Sequence, residues 1–404
     1  MLSVGRRMMF RLTATPGGAK PQFKSFSATN FRIEAKMKIL IVGGGIAGLS
    51  LAIALEQRGY QADIVEKYSA HSVSGTGLFL PGNATRAIAQ LGLLDDTLDI
   101  AVPIKSQQIL DSSGKQLSIT HTEPFWGPCG PCLSLPRRAL YKILLGAVRH
   151  TSPKFLTEVQ AIRQFQKRCE VDFSDGRSGI YDLVVGADGI NSAVRQMVFP
   201  EVAPAYVGNV CWRFIAPTLP GIEGWTVMLG NGRTLLAIPV SDTETYVYAD
   251  RALNHHEAAN GSMQMGSLFG EFSDPLSPLV ENLSAETQIH FGRIEEISMP
   301  QWRCGRVILI GDAAHACSPS MAQGAGLAME DALVLADSIA TRPNLAAALA
   351  SYTDRRRPRV EWVQKQCKAR DKMRSMPRMA RSSILKLFGN ALYERSYTPL
   401  LAEI

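Results

Sequence analysis

Residues 39–48 read Ile39-Leu40-Ile41-Val42-Gly43-Gly44-Gly45-Ile46-Ala47-Gly48, and this stretch decides the fold. Four consecutive apolar residues are what a strand buried on both faces of a parallel sheet requires. The glycines match G-x-G-x-x-G, and apolar positions at Ala47, Leu51, Ala54 and Leu55 then carry a helix that ends at Gly59. A second strand, Ala62-Asp63-Ile64-Val65, runs into Glu66-Lys67. Each part has a task in a dinucleotide site. Gly43 permits the tight turn, Gly45 lets a pyrophosphate approach the backbone, and Gly48 lets helix and strand pack closely. Free N–H groups around Ile46 and Ala47, with the positive end of the helix, hold phosphate. Glu66 stands 23 residues after Gly43 and can accept from both ribose hydroxyls. Its charge repels a 2′-phosphate, which points to FAD or NAD rather than NADP.

Two later stretches repeat the pattern of strand, acidic turn and helix. The first is Asp182-Leu183-Val184-Val185-Gly186-Ala187-Asp188-Gly189, with Asn191 or Ser192 placed to cap a following helix. The second is Arg306-Val307-Ile308-Leu309-Ile310-Gly311-Asp312-Ala313-Ala314-His315, followed by Gln323-Gly324-Ala325-Gly326-Leu327. Apolar residues at Ala328, Ala332, Leu335, Ala336 and Ile339 give the second stretch a helix. The Gly324-Ala325-Gly326 segment opens that helix and presents N–H groups and a partial positive charge.

With these three motifs in order, residues 37–365 resemble the group A flavin monooxygenases, the family of p-hydroxybenzoate hydroxylase and salicylate hydroxylase. The resemblance implies FAD as cofactor and NADH or NADPH as a transient co-substrate. It implies that O₂ adds to the flavin and that a C4a-hydroperoxide hydroxylates an aromatic or conjugated small molecule. The ADP half of FAD would lie on Gly43, Gly45, Ile46, Ala47, Gly48, Glu66 and Lys67, with Gly77 nearby. Asp188 would bear on FAD and the nicotinamide, Asp312 on the ribityl chain, and Gly324, Ala325 and Gly326 on the reduced flavin. Arg137-Arg138-Ala139-Leu140 looks like the family's R-x-x-L element, which makes Arg137 a cofactor contact. A related FAD enzyme that epoxidises or reduces a double bond, or a flavin protein without turnover, fits the same motifs.

The implied fold is α/β. A Rossmann-like FAD-binding domain on a parallel sheet (37–106, 129–200 and 295–365) is interrupted by a substrate domain. That second domain, a mixed or antiparallel sheet, covers 107–128 and 201–294, and helices follow. Segments 206–214, 234–239 and 243–249 read as its strands, separated by turn residues. Arg213 and Tyr246 are the candidate catalytic residues, with Tyr206 and Tyr248 as further candidates to line the pocket. His255-His256 reads as a polar loop, and His315 as a residue that fixes backbone beside the cofactor.

Charge narrows the remaining possibilities. The 404 residues carry a net +7, yet residues 1–36 hold +6, 354–386 hold +9 and 387–404 hold −1, which leaves −7 for residues 37–353. An acidic body with basic ends speaks against nucleic-acid binding. Residues 1–36 read as a disordered leader, either a mitochondrial transit peptide or sequence ahead of a start at Met37. A cytoplasmic protein, monomeric or homodimeric, is expected otherwise. The basic stretch from Arg355-Arg356-Arg357-Pro358-Arg359 through Arg381 reads as a solvated helical face leading into a basic helical region at 366–404, where Leu385, Leu387 and Phe388 could add peripheral contact with anionic lipid. Cys129-Gly130-Pro131-Cys132 resembles a redox motif, but Pro136 follows too soon for the helix that would activate a thiol. No His/Cys cluster has metal-ligand spacing, so no metal is expected.

Overall fold

Ile39–Val42, buried along its length, is an inner strand of a five-stranded sheet. The computed structural model describes residues 37–70, 76–254, 265–284 and 286–404, so residues 1–36, read above as a leader, and His255-His256 lie outside the described residues. The sheet runs Arg303–Cys304, Val307–Leu309, Leu183–Gly186, Ile39–Val42, Ala62–Val65, and only the first pair is antiparallel. The three motif strands are therefore neighbours, with Val42 beside Gly186 and Gly186 beside Leu309. Their carboxyl ends deliver the loops at Gly43, Asp188 and Asp312 to one edge, where open α/β sheets bind ligands. Helix Ile46–Glu56 packs on helix Gly324–Thr341 over this sheet.

A seven-stranded sheet faces that edge. Its order is His290–Glu296, Ala205–Pro217, Glu244–Ala252, Arg233–Pro239, Trp225–Leu229, Ser106–Asp111, Gln116–His121. All neighbours are antiparallel except Trp225–Leu229 with Ser106–Asp111. Side chains alternate between the two faces. Val210, Trp212 and Phe214 join Phe269 and Phe272 in a second core, whereas Cys211, Arg213, Tyr246 and Tyr248 point to the other side.

The carboxyl-terminal region departs from the sequence reading. Helix Leu345–Arg374 starts on Asn344, whose side chain accepts from Ala347 N at 2.9 Å, and helix Arg378–Tyr397 then packs on Gln116–His121. Many arginines expected on a solvated face are internal. Arg356 and Arg381 are 1% and 2% exposed. Arg356 reaches Glu330 Oε2 at 2.8 Å and Asp331 Oδ1 at 2.7 Å, and Arg359 reaches Glu330 Oε1 at 2.8 Å. Two acids in the apolar middle of helix Gly324–Thr341 need cationic partners once buried, and these arginines supply them. Leu385 is also buried, against Leu117, Val227 and Leu229, while Leu387 and Phe388 are exposed. Among the described residues no helix is long and apolar enough to cross a membrane.

Candidate cofactor and substrate site

A cavity of about 760 Å³ is lined by the loop edge of the parallel sheet, the inner face of the seven-stranded sheet and the last two helices. Gly43 has φ +110°, and a Cβ there would lie 2.4 Å from the carbonyl oxygen of Ala187. A Cβ on Gly48 would come 1.9 Å from the Gly43 oxygen, whereas one on Gly45 would meet nothing within 4 Å. The outer glycines are thus closed by packing and the middle one is an open cradle at the start of helix Ile46–Glu56. Gly45, Ile46 and Ala47 all line the cavity. Glu66 accepts from Gly44 N at 2.8 Å through Oε2 and from Tyr68 N at 2.9 Å through Oε1. Each of its oxygens keeps a lone pair for a ligand. Glu66 and Lys67 also line the cavity.

Asp188 turns Oδ2 to Val194 N at 3.1 Å, and its buried Oδ1 has no partner. Burial pushes this carboxyl up against the pull of neighbouring donors. Ser192 caps the adjacent helix by accepting from Arg195 N at 2.8 Å. Asp312 opens the short helix Asp312–His315, and its Oδ1 lies 3.9 Å from where a Cβ on Gly324 would sit. Gly324 and Ala325 line the cavity with it. Gly326 is set back, packed against Ala84, as Gly48 is set back against Gly43.

The Asp312 turn is held from behind. Asp331 Oδ2 accepts from Gly311 N at 2.8 Å and lies 2.6 Å from His315 Nε2. His315 is buried, on the far side of the turn from the cavity.

Arg137 begins helix Arg137–Ala147, and its accessible surface opens on the cavity. Depth in the protein lowers its pKa, Asp312 opposes that, and Arg213 adds to it. A Cβ on Gly77 would lie 2.3 Å from the Tyr246 Cβ, so only glycine leaves room for that tyrosine. Arg213 and Tyr246 both line the cavity. The Arg213 Nε is buried without a partner, and its guanidinium makes no ion pair among the described residues. Burial raises the Tyr246 phenol, and Arg213 pulls it down. Tyr248 donates to Asp250 Oδ2 at 2.9 Å, and Arg374 closes on the same oxygen. Tyr206 is elsewhere, donating to Leu253 O at 2.9 Å, because its register puts it beyond the bulge after the Glu295 pair.

Sequence reasoning missed the far wall. Met373, Arg374, Arg381, Leu385 and Leu392 line it from the two last helices. The Cys129–Cys132 segment lies between helix Thr122–Trp126 and strand Leu133–Pro136. Burial pushes the Cys132 thiol up to about 12, so it stays protonated and is not an activated nucleophile.

The FAD binding domain family matches residues 36–216 and 283–366. The chain belongs to the group A FAD-dependent monooxygenases. The 2-heptyl-3-hydroxy-4(1H)-quinolone synthase of Pseudomonas aeruginosa is 31% identical over 82% of this chain and 87% of that protein. The aurachin C monooxygenase/isomerase of Stigmatella aurantiaca is 30% identical over 79% of this chain and 85% of its own length. The structure of Klebsiella pneumoniae HpxO with FAD and uric acid is similar with TM-score 0.81 and 25% identity, over 91% of this chain and 97% of that one. The monooxygenase is thus a flavoprotein oxidoreductase with FAD as its cofactor. Its residues fit that group: an open glycine cradle, an orphaned acidic oxygen at Asp188 and a carboxylate beside a helix start at Gly324.

Proposed function

We propose that this monooxygenase hydroxylates an aromatic ring bearing an anionic or ionisable oxygen, and that Arg213 holds that oxygen. The observation that carries the reading is the Arg213 guanidinium, which lines the cavity without an ion pair among the described residues. A desolvated cation is costly unless an anion joins it. Relatives named for a quinolone and crystallised with uric acid support a planar heteroaromatic substrate.

When bound, FAD supplies reduction by NADH or NADPH and the activation of O₂. The chain supplies position. Gly45, Ile46 and Ala47 would take the pyrophosphate, and Glu66 the ribose. Asp188 and Asp312 would accept from hydroxyls of the cofactor, and Arg137 would balance negative charge beside them. The N–H groups at Gly324 and Ala325 would stabilise anionic reduced flavin by about 0.3–2 kcal/mol. Arg213 lowers the cost of deprotonating a phenol or enol, and Tyr246 stays protonated at neutral pH, able to donate to the substrate oxygen.

Arg213→Ala is expected to lower kcat/KM about 10- to 100-fold, the loss of about 1.5–3 kcal/mol from a hydrogen bond to a charged group. Peroxide release per NAD(P)H oxidised should rise, and Arg213→Lys should recover part of the coupling. Product analysis under ¹⁸O₂ tests the reaction itself. Product without label would overturn oxygen insertion and favour double-bond reduction. Contact of the last helix with anionic lipid is a separate proposal, supported by exposed Met379, Leu387 and Phe388 beside Lys386. Sedimentation with phosphatidylserine vesicles tests it, and equal recovery with neutral vesicles would sink it.

A further inference from the structure

The cavity face of the seven-stranded sheet changes chemistry across its width. At strands Ala205–Pro217 and Glu244–Ala252 it presents Arg213 and Tyr246, close enough to Arg137 for each to act on its ionisation. Three strands further across, Trp225–Leu229 presents Trp225, Val227 and Leu229, and the next strand presents Ile109. At the usual spacing between strands, Arg213 and Val227 are about 14 Å apart.

The far end is mainly apolar on both sides, and Arg381, which also lines it, is taken up by the carbonyl oxygens of Leu229 at 3.3 Å and Gly230 at 2.7 Å. Leu385 of the last helix packs with Val227 and Leu229, and Met373 of the preceding helix packs against that cluster. Ile109, Trp225, Leu236 and Met373 are only partly buried there and line the cavity, so they leave apolar surface for a ligand to cover. Gln107, a polar side chain at this end, is already engaged with the Tyr393 hydroxyl at 3.4 Å.

A small polar ring held at Arg213 would leave this end filled with water against hydrocarbon. We infer that the far end is a subsite for an apolar tail, an alkyl chain of several carbons carried by the aromatic substrate. The inference rests on the proposed placement of the ring at Arg213. One molecule then spans the sheet, with its ring beside the cofactor loops and its chain between Val227, Ile109, Met373 and Leu385. Length selectivity comes from these residues, while the reacting end is set by Arg213 and Tyr246.

The test uses the FAD-loaded enzyme and a series of 2-alkyl-4-quinolones from methyl to nonyl. Binding is read from the perturbation of flavin absorbance, and turnover separately from product formation. Kd should fall about threefold to fourfold per methylene until the subsite is full. Val227→Trp should move the length at which affinity stops rising to shorter chains, and Ile109→Phe, on the adjoining strand, should do the same to a smaller extent. A Kd independent of chain length overturns the subsite whatever turnover does, and so does a length limit unmoved in both variants. A length-dependent Kd without product leaves the subsite standing and overturns the proposed placement of the reacting ring at Arg213.

Discussion

Replacing Arg356 with Met should cost about 3–5 kcal/mol of folding free energy, because it strands two buried carboxylates. Arg356 is 1% exposed and bridges Glu330 and Asp331, both fully buried. Arg359 still covers Glu330 in the variant, but Asp331 keeps only His315 and the Gly311 N–H. Against a typical stability of about 5–15 kcal/mol, the loss is large. Denaturant unfolding of the variant checks it, and a midpoint unchanged from wild type would contradict the assigned role. The same network has an acid limit. Burial alone would raise the Asp331 carboxyl, but His315 and Arg356 hold it at about 2. An unfolded aspartate titrates near 3.9. The stability gained from this depressed pKa is therefore complete above about pH 4 and drains away as the pH falls toward 2. Circular dichroism between pH 5 and 2 should show wild type losing structure over that window, and the Arg356 variant losing it at higher pH.

The second large effect separates two glycines that motif reading treats alike. Gly48→Ala places a methyl 1.9 Å from the Gly43 oxygen, so the helix must move off its strand. Overpacking of this kind costs about 1–3 kcal/mol, and both the apo protein and its FAD retention should suffer. Gly45→Ala places its methyl in open space, with extended backbone that alanine adopts readily (φ −82°, ψ −167°). Apo stability should then hold within about 0.5 kcal/mol, the range of a substitution with no packing consequence. FAD affinity should still drop, by about 100-fold if the methyl displaces the pyrophosphate from its N–H donors at about 3 kcal/mol. Thermal unfolding of apo protein and FAD titration, run on both variants, distinguish the pair. Equal behaviour in the two assays would show that Gly45 does not face the phosphates.

The cofactor side of this protein was legible because each loop is local. Ile39–Val42 and Leu183–Gly186 each end in a turn whose glycine or aspartate carries the signal, and adjacency in one sheet follows from right-handed crossovers. Trp212-Arg213 was readable in the same way, since alternation sends the tryptophan to the second core and the arginine to the cavity. The carboxyl-terminal arginines were not. Their run of charge looks like a solvated face, and the partners of Arg356 lie 25 and 26 residues earlier on another helix. A signal did exist. Glu330-Asp331 sits between Met329 and Ala332 on a helix apolar on nearly every side, and such acids demand cations. The role of Leu385 and Met373 as cavity wall had no such local mark, because it depends on how the last helix crosses Gln116–His121.

The residues shared with the FAD binding domain family stop at 216, resume at 283 and end at 366. Strands Trp225–Leu229, Arg233–Pro239 and Glu244–Ala252 fall in the gap, and Met373 and Leu385 fall beyond the end. Most of the cavity wall that faces away from the cofactor loops is therefore encoded in two stretches of chain that can drift without disturbing those loops. A lineage could keep its redox machinery and the Arg213 anchor while altering the rest of the cavity wall through two segmental replacements. Recombination between relatives at residues near 217, 283 and 366 would exchange those two stretches and leave the cofactor loops in place.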